Sequence, residues 1–218
     1  MMITTAKILR VDGNGVLLQP DENINRELQK KQITSVELRL DDGRTISAEQ
    51  RKKIFALIRD ISIWSGTEPE DIRSFLQWDF ICKKNYEWFS LSNVDMTTAK
   101  EFITYLITFC FAWNVPTKDT LLNQTDDIGK YLYLCLEHRK CAICNKPAQV
   151  HHVDRVGMGN DREKIVHIGL LAIALCPEHH EMAHWDEKRL FEKYFVYGIK
   201  LDKYLCDRLR LNTKERKS

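Results

Sequence analysis

The sequence predicts an α+β protein: a small antiparallel sheet, then a run of helices, then a short strand-and-helix module rich in cysteine and histidine. Three observations carry that expectation. Apolar runs in the first 46 residues are broken by turn formers, residues 47–113 switch to a helical period, and six of the seven histidines lie beyond residue 140.

At the N-terminal end, "AKILRV" and "GVLLQP" flank the turn former "DGNG", and "TSVELRL" leads through "DDGR" to "TIS". Together they read as the strands of a small antiparallel sheet. Ser47 and Gln50 then have capping-box spacing, and Ile54, Leu57, Ile58 and Ile61 repeat on one helical face. A helix over 47–64, ending near Gly66, follows. Thr67, Glu70 and Pro69 start a second helix through Phe80, and Thr98 with Glu101 starts a third whose stripe is Phe102, Leu106, Phe109 and Trp113. "NVPTKDT" breaks that helix and "TDDIGKYLYLCLEHRK" begins another, so 114–126 reads as a linker between domains 1–125 and 126–218. Trp64, Trp78, Trp88 and Trp113 could stack on bases, but aromatics at helical spacing are expected in the core.

Composition sets bounds on function. With 218 residues, 44% hydrophobic and 29% charged, the chain can bury a sizeable core. No apolar run approaches the ~20 residues of a membrane span, and the N-terminus lacks the apolar stretch of a secretory signal. The expectation is a cytoplasmic protein without a membrane partner. Seven cysteines are an odd number, and three stand in metal-like spacings, which favours ligation over disulfides. Cys82, Cys110, Cys135 and Cys206 lie in apolar helical patterns and read as buried small hydrophobes. The net charge of +2 divides unevenly: 17 Lys/Arg against 19 Asp/Glu over 1–136 gives −2, and 16 against 12 over 137–218 gives +4. The tail "RLRLNTKERKS" is either a phosphate-contacting or a solvated end.

The metal pattern is specific. Cys141-x2-Cys144 and Cys176-x2-His179 supply four soft ligands, the number a closed tetrahedral zinc site takes. His151, His152, His180 and His184 remain over in the same short module. Pro177 favours a helix start just after Cys176, which stacks His180 and His184 on one face where both could reach a second ion. His151 and His152, if on a strand, must point to opposite sides, so one can bind metal while the other does something else. That division suits phosphodiester hydrolysis: an ion stabilises charge on phosphate and leaving oxygen, and a neutral imidazole takes the proton of the attacking water.

Strand, His-His, loop, strand, Cys-x2-His-His, helix, His resembles the ββα-metal HNH endonuclease motif in its zinc-knuckle frame, over about residues 138–186. The resemblance implies His151 as first ligand of the catalytic ion, His152 as general base, and His180 and His184 as the remaining ligands. The family's central Asn, which orients the base, has no clear equivalent; His167 stands nearest by distance, and Asn160 lies in a Gly-rich loop. "HHVDRVGMGN" with "GLLAIALCPEHHEMAH" is similar to HNH nucleases encoded among phage recombination genes. "TISAEQRKKIFALIRDISIWSG" with "PEDIRSFL" is similar to the phage recombination-mediator family called Orf or NinB, which implies a DNA-binding domain or one that docks on single-strand-binding protein.

The leading expectation is therefore a metal-dependent DNA endonuclease of phage or prophage origin, acting on recombination or replication intermediates. It would carry a structural Zn2+ and a catalytic Mg2+, Mn2+, Ni2+ or Zn2+. Arg155, Arg51, Lys52 and Lys53 are the expected DNA contacts, with single-stranded or branched DNA as partner, and the pattern is compatible with a homodimer. The alternative is a zinc-stabilised DNA-binding mediator whose HNH module turns over weakly; RNA cleavage also stays open, because a metal site reads a phosphate and not a base.

Overall fold

The computed structural model describes residues 4, 6–13, 15–32, 34–36, 43–153 and 166–213, which divide by their contacts into one unit ending at Asp42 and another beginning at Gly43. The first unit holds an antiparallel hairpin of β1 (Ala6–Asp12) and β2 (Gly15–Pro20), followed by helix α1 (Asn25–Lys30). Gly13 sits in the connecting turn at φ 51°, a left-handed value glycine adopts without a Cβ penalty. A bulge between Ile8 and Arg10 shifts the register. The expectation of strands throughout the first 46 residues is corrected by α1, a short helix with no buried residue. The strand expected over 34–40 falls mostly outside the described residues.

The second unit begins where Thr45 bridges Asp95, a contact that brings the starts of two helices side by side. Helix α2 (Ala48–Ser65) forms as its capping box dictates: Ser47 Oγ accepts from Gln50 N at 3.0 Å, and Gln50 Oε1 accepts from Ser47 N at 3.0 Å. It ends at Gly66, φ 70°. Ile54, Leu57, Ile58 and Ile61 are fully buried, each contributing about 1.5–3 kcal/mol of burial. Helix α3 (Pro69–Lys84) has its proline at the first position and buries Leu76 and Phe80. Helix α4 (Met96–Trp113) starts three residues earlier than expected because Asp95, not Thr98, is the cap; its carboxylate accepts from Thr98 N at 2.8 Å. Phe80, Phe89, Phe102 and Tyr105 form one aromatic cluster between α3 and α4.

The segment 114–126, expected as a linker, is tied down along its length. Lys118 N donates to Asp60, Leu121 N donates to Asn145, and Lys53 is paired with Asp126. Short α5 (Leu121–Gln124) lies within it and leads to α6 (Ile128–Glu137). One core runs from Ile54 and Leu106 through Leu132, Leu136 and Ile173 to Leu205, so helices on both sides of residue 125 share it. The outer positions differ from expectation. Trp78, Trp88 and Trp113 are exposed, Trp64 is 41% exposed, and Cys82 is exposed, whereas Cys110, Cys135 and Cys206 are buried as expected. Periodicity identifies a face but does not say how far a partner covers it.

Beyond α6 a three-stranded sheet has the order β3 (Gln149–His152), β4 (Leu171–Leu175), β5 (Ile199–Lys200), antiparallel throughout. Helix α7 (Pro177–Tyr194) follows β4 and packs on β3 and β4, and α8 (Lys203–Leu209), capped by Asp202, packs on α6. The architecture is α+β, as the sequence predicts. Among the described residues no helix is long and apolar enough to cross a membrane.

Gly198, just before β5, packs against the residue that follows the His pair: a Cβ there would stand 2.6 Å from Val153 Cγ2 and 3.3 Å from Leu171 Cβ. Gly198→Ala must push Val153 aside and should cost about 1–3 kcal/mol. The measurement is the urea midpoint at constant m-value; an unchanged midpoint would show slack in the sheet.

Candidate functional site

Among the described residues, two clusters of side chains that could hold a metal ion form within residues 141–184. The first contains Cys141, Cys144, Cys176 and His179. Cys141 and Cys144 lie on the turn after α6, which Asn145 closes at φ 59° with its N–H on Cys141 O and Cys141 N on Lys146 O. Buried Tyr131 of α6 holds that turn: its hydroxyl donates to Ala142 O at 3.0 Å and accepts from Asn145 Nδ2 at 2.7 Å. Cys176 is the N-cap position of α7 and Pro177 its first residue, so Cys176 and His179 project together from the first turn.

The spacings fit one ion. A tetrahedral ion with sulfur at about 2.3 Å and nitrogen at about 2.0 Å places S···S roughly 3.8 Å and S···N roughly 3.5 Å apart. Observed values are 3.7 Å for Cys144 to Cys176, 3.5 Å for Cys141 to His179 Nδ1 and 3.2 Å for Cys176 to His179 Nδ1. Burial, and then the neighbouring Cys141 and Cys176, push the Cys144 thiol well above its ordinary value. A cation among the sulfurs reverses that penalty by favouring thiolate.

The second cluster contains His151, His180 and His184, each bringing a nitrogen within 4.8 Å of the others. His151 sits on β3 opposite Ile173, 4% exposed. His180 and His184 rise one turn apart on α7, with ring centroids 4.8 Å apart and 4.9 and 5.3 Å from His151. Burial, then His151 and His184, hold His180 below its ordinary value, which favours the neutral ring a ligand requires.

His152 follows on β3 opposite Ala172 and points to the other side, as strand alternation requires. There its Nε2 lies 2.9 Å from His167 Nδ1. His167 is anchored by its own N–H, which donates to Asn212 O, and burial holds its ring below the usual histidine value. Arg155 and Asn160 fall outside the described residues. Of the expected basic patch, Arg51 donates to Leu91 O and Ser92 O, and Lys53 bonds Thr125 O and Asp126; both are spent inside the fold, leaving Lys52 exposed.

Three residues of the site escaped sequence reasoning. Tyr131 and Asn145 brace the cysteine turn through tertiary contacts, which no local spacing announces. Glu187 accepts from His151 Nε2 at 2.9 Å; its place three residues after His184 was the one available signal.

Cys176→Ser removes a ligand from the cysteine cluster and is expected to lower the metal bound per chain by one equivalent and the melting temperature with it. Metal content by mass spectrometry beside a thermal melt reads both. Full content and a native melt would show that the four residues do not share an ion.

The chain matches the model of the family described as "Putative HNHc nuclease" over residues 18–212. No curated protein and no solved structure matches it. The match runs from β2 into the segment after α8 and takes in both clusters, and on that span the chain belongs to the HNHc nuclease family.

Proposed function

We propose that the protein is a metal-dependent DNA endonuclease acting on phage recombination or replication intermediates, with His152 as general base. The observation that carries this reading is the division of β3: His151 faces the imidazoles of α7, while its neighbour His152 faces His167. Three imidazoles without a thiolate form an open donor set suited to Mg2+, Mn2+, Ni2+ or Zn2+, whereas the cysteine cluster suits a structural Zn2+. A divalent ion at the three imidazoles supplies charge stabilisation for the phosphate and the departing oxygen.

The chain's own groups move the proton. For His152 to accept it at Nδ1, its Nε2 must carry hydrogen and donate to His167 Nδ1. His167, kept neutral by burial, remains the acceptor as His152 becomes cationic. It thus takes the orienting role for which the family pattern supplies an Asn, through the base's ring instead of its backbone. His152→Ala should keep metal content and DNA affinity and lose roughly 10²- to 10⁴-fold in cleavage rate. The assay is a panel of single-stranded, duplex, flap and four-way-junction DNAs with Mg2+ or Mn2+. DNA binding without cleavage by the unmutated protein would favour the mediator reading, which the lack of a central Asn supports.

The part of the chain over 1–125, whose residues 45–66 and 69–76 resemble the Orf or NinB mediators, takes the targeting role in this proposal, toward single-stranded DNA or single-strand-binding protein. Trp64, Phe109 and Trp113 support it. Their rings follow one another at 6.4 and 6.1 Å, with Trp113 60% exposed and Lys140 bonded to the adjacent Asn114. An aromatic ladder beside a cation suits unpaired bases. In the full chain, Trp113→Ala should weaken single-stranded DNA binding by about 1–3 kcal/mol and leave duplex binding unchanged. Titration at two salt concentrations separates stacking from phosphate contacts; equal loss on both substrates, or none, would end the assignment.

A further inference from the structure

Helix α7 is not continuous. At Asp186 the backbone leaves helical values (φ −156°, ψ 84°), and Asp186 Oδ1 then accepts from Arg189 N at 3.0 Å, capping a second helical segment. Glu187 opens that segment. Among exposed neighbours, Asp186 and Lys188, its side chain is only 32% exposed, because it turns back to His151. His151 itself is 4% exposed, and its Nε2 lies 2.9 Å from Glu187 Oε1.

A carboxylate only accepts, so the shared proton is on Nε2 of His151. In the neutral ring that leaves Nδ1 as the nitrogen with a lone pair. The carboxylate also fixes the ring against rotation about its χ angles, on a histidine side chain that is only 5% exposed. Glu187 does not join His151, His180 and His184 in the group whose ligand atoms lie within 4.8 Å of one another, and it bonds the cluster's His151.

We infer that Glu187 is a positioning residue for the three-imidazole cluster, which orients His151 through Nε2–H and sets Nδ1 toward a divalent cation. The kink at Asp186 is the device that places it. This rests on the proposal that the cluster holds such an ion, and it extends the ligand set by a residue outside it. Carboxylates that accept from a metal-bound imidazole raise its basicity as well as aim it, and their loss typically costs 10- to 100-fold in metal affinity.

The test is Ni2+ binding by titration calorimetry on the full chain already carrying one equivalent of Zn2+, with thermal melts alongside. Glu187→Ala should weaken Ni2+ by 10- to 100-fold with an unchanged melt. Glu187→Gln, whose amide oxygen can accept the same N–H, should recover most of that loss. Unweakened binding in Glu187→Ala would overturn the inference, and so would Glu187→Gln as weak as Glu187→Ala, since that would make the charge or direct ligation the operative factor. His180→Ala is the reference: if it also binds Ni2+ normally, the cluster is not the ion's site and the functional proposal fails with it, whereas loss in His180→Ala alone confines the failure to Glu187.

Discussion

The docking of the first turn of α7 against the turn at 141–144 is the constraint on which the site depends. Cys141 and Cys144 belong to the chain before β3, and Cys176 and His179 to the chain after β4. Holding them together fixes both ends of the β3–β4 pair and sets the azimuth of α7. His180 and His184 then have little choice of direction, because they stand one and five residues beyond His179 on the same helix and inherit its rotation. The cysteine cluster is therefore the cause of the histidine cluster in a geometric sense. Tyr131 extends the constraint into the core, since its ring packs on Phe111 of α4 while its hydroxyl holds the cysteine turn.

How much of this could be read in advance follows from the range of each interaction. Cys-x2-Cys, Cys-x2-His and His-x3-His are local spacings whose geometry is set by a turn or a helix, so the gathering of these side chains was legible. So was the division of His151 from His152, because strand alternation has a period of two. The capping box of Ser47 and Gln50 and the stop at Gly66 were legible for the same reason. What was not legible depends on partners far away in the chain. Arg51 and Lys53 looked like a basic patch until Leu91, Ser92 and Asp126 were seen to occupy them. Trp113 shares a helical face with Phe102 and Leu106, yet no described element covers the end of that face. The segment 114–126 has the composition of a linker, and its anchors, Asp60 and Asn145, are tertiary.

The sheet acts as a partition between the three-imidazole cluster and the His152–His167 pair. His151 is buried on the α7 side, and His152, partly exposed, meets His167 on the other. Close packing of Gly198 on Val153 holds the backbone immediately after His152, and His152 is itself held by its ladder pairing with Ala172, so the proposed base would be constrained at and just after its own position. Such precision matters because proton transfer needs donor and acceptor within hydrogen-bond reach, and a shift of about 1 Å is costly.

Ligand chemistry decides which cluster does which task. Three thiolates and an imidazole around a divalent cation sum to −1, with all four tetrahedral positions taken; such a site repels phosphate and has nowhere to receive it. Three neutral imidazoles around the same charge sum to +2 and leave positions open, so an anionic substrate is attracted to the site and can enter it. Glu187, one imidazole away, lowers that charge without filling a position. Its cost to phosphate attraction is small at that remove, because the carboxylate is a third exposed and screened by water. Its gain is a fixed proton on His151. On the proposed reading, one helix would serve both a closed cross-link, through Cys176 and His179, and an open electrophilic site, through His180 and His184.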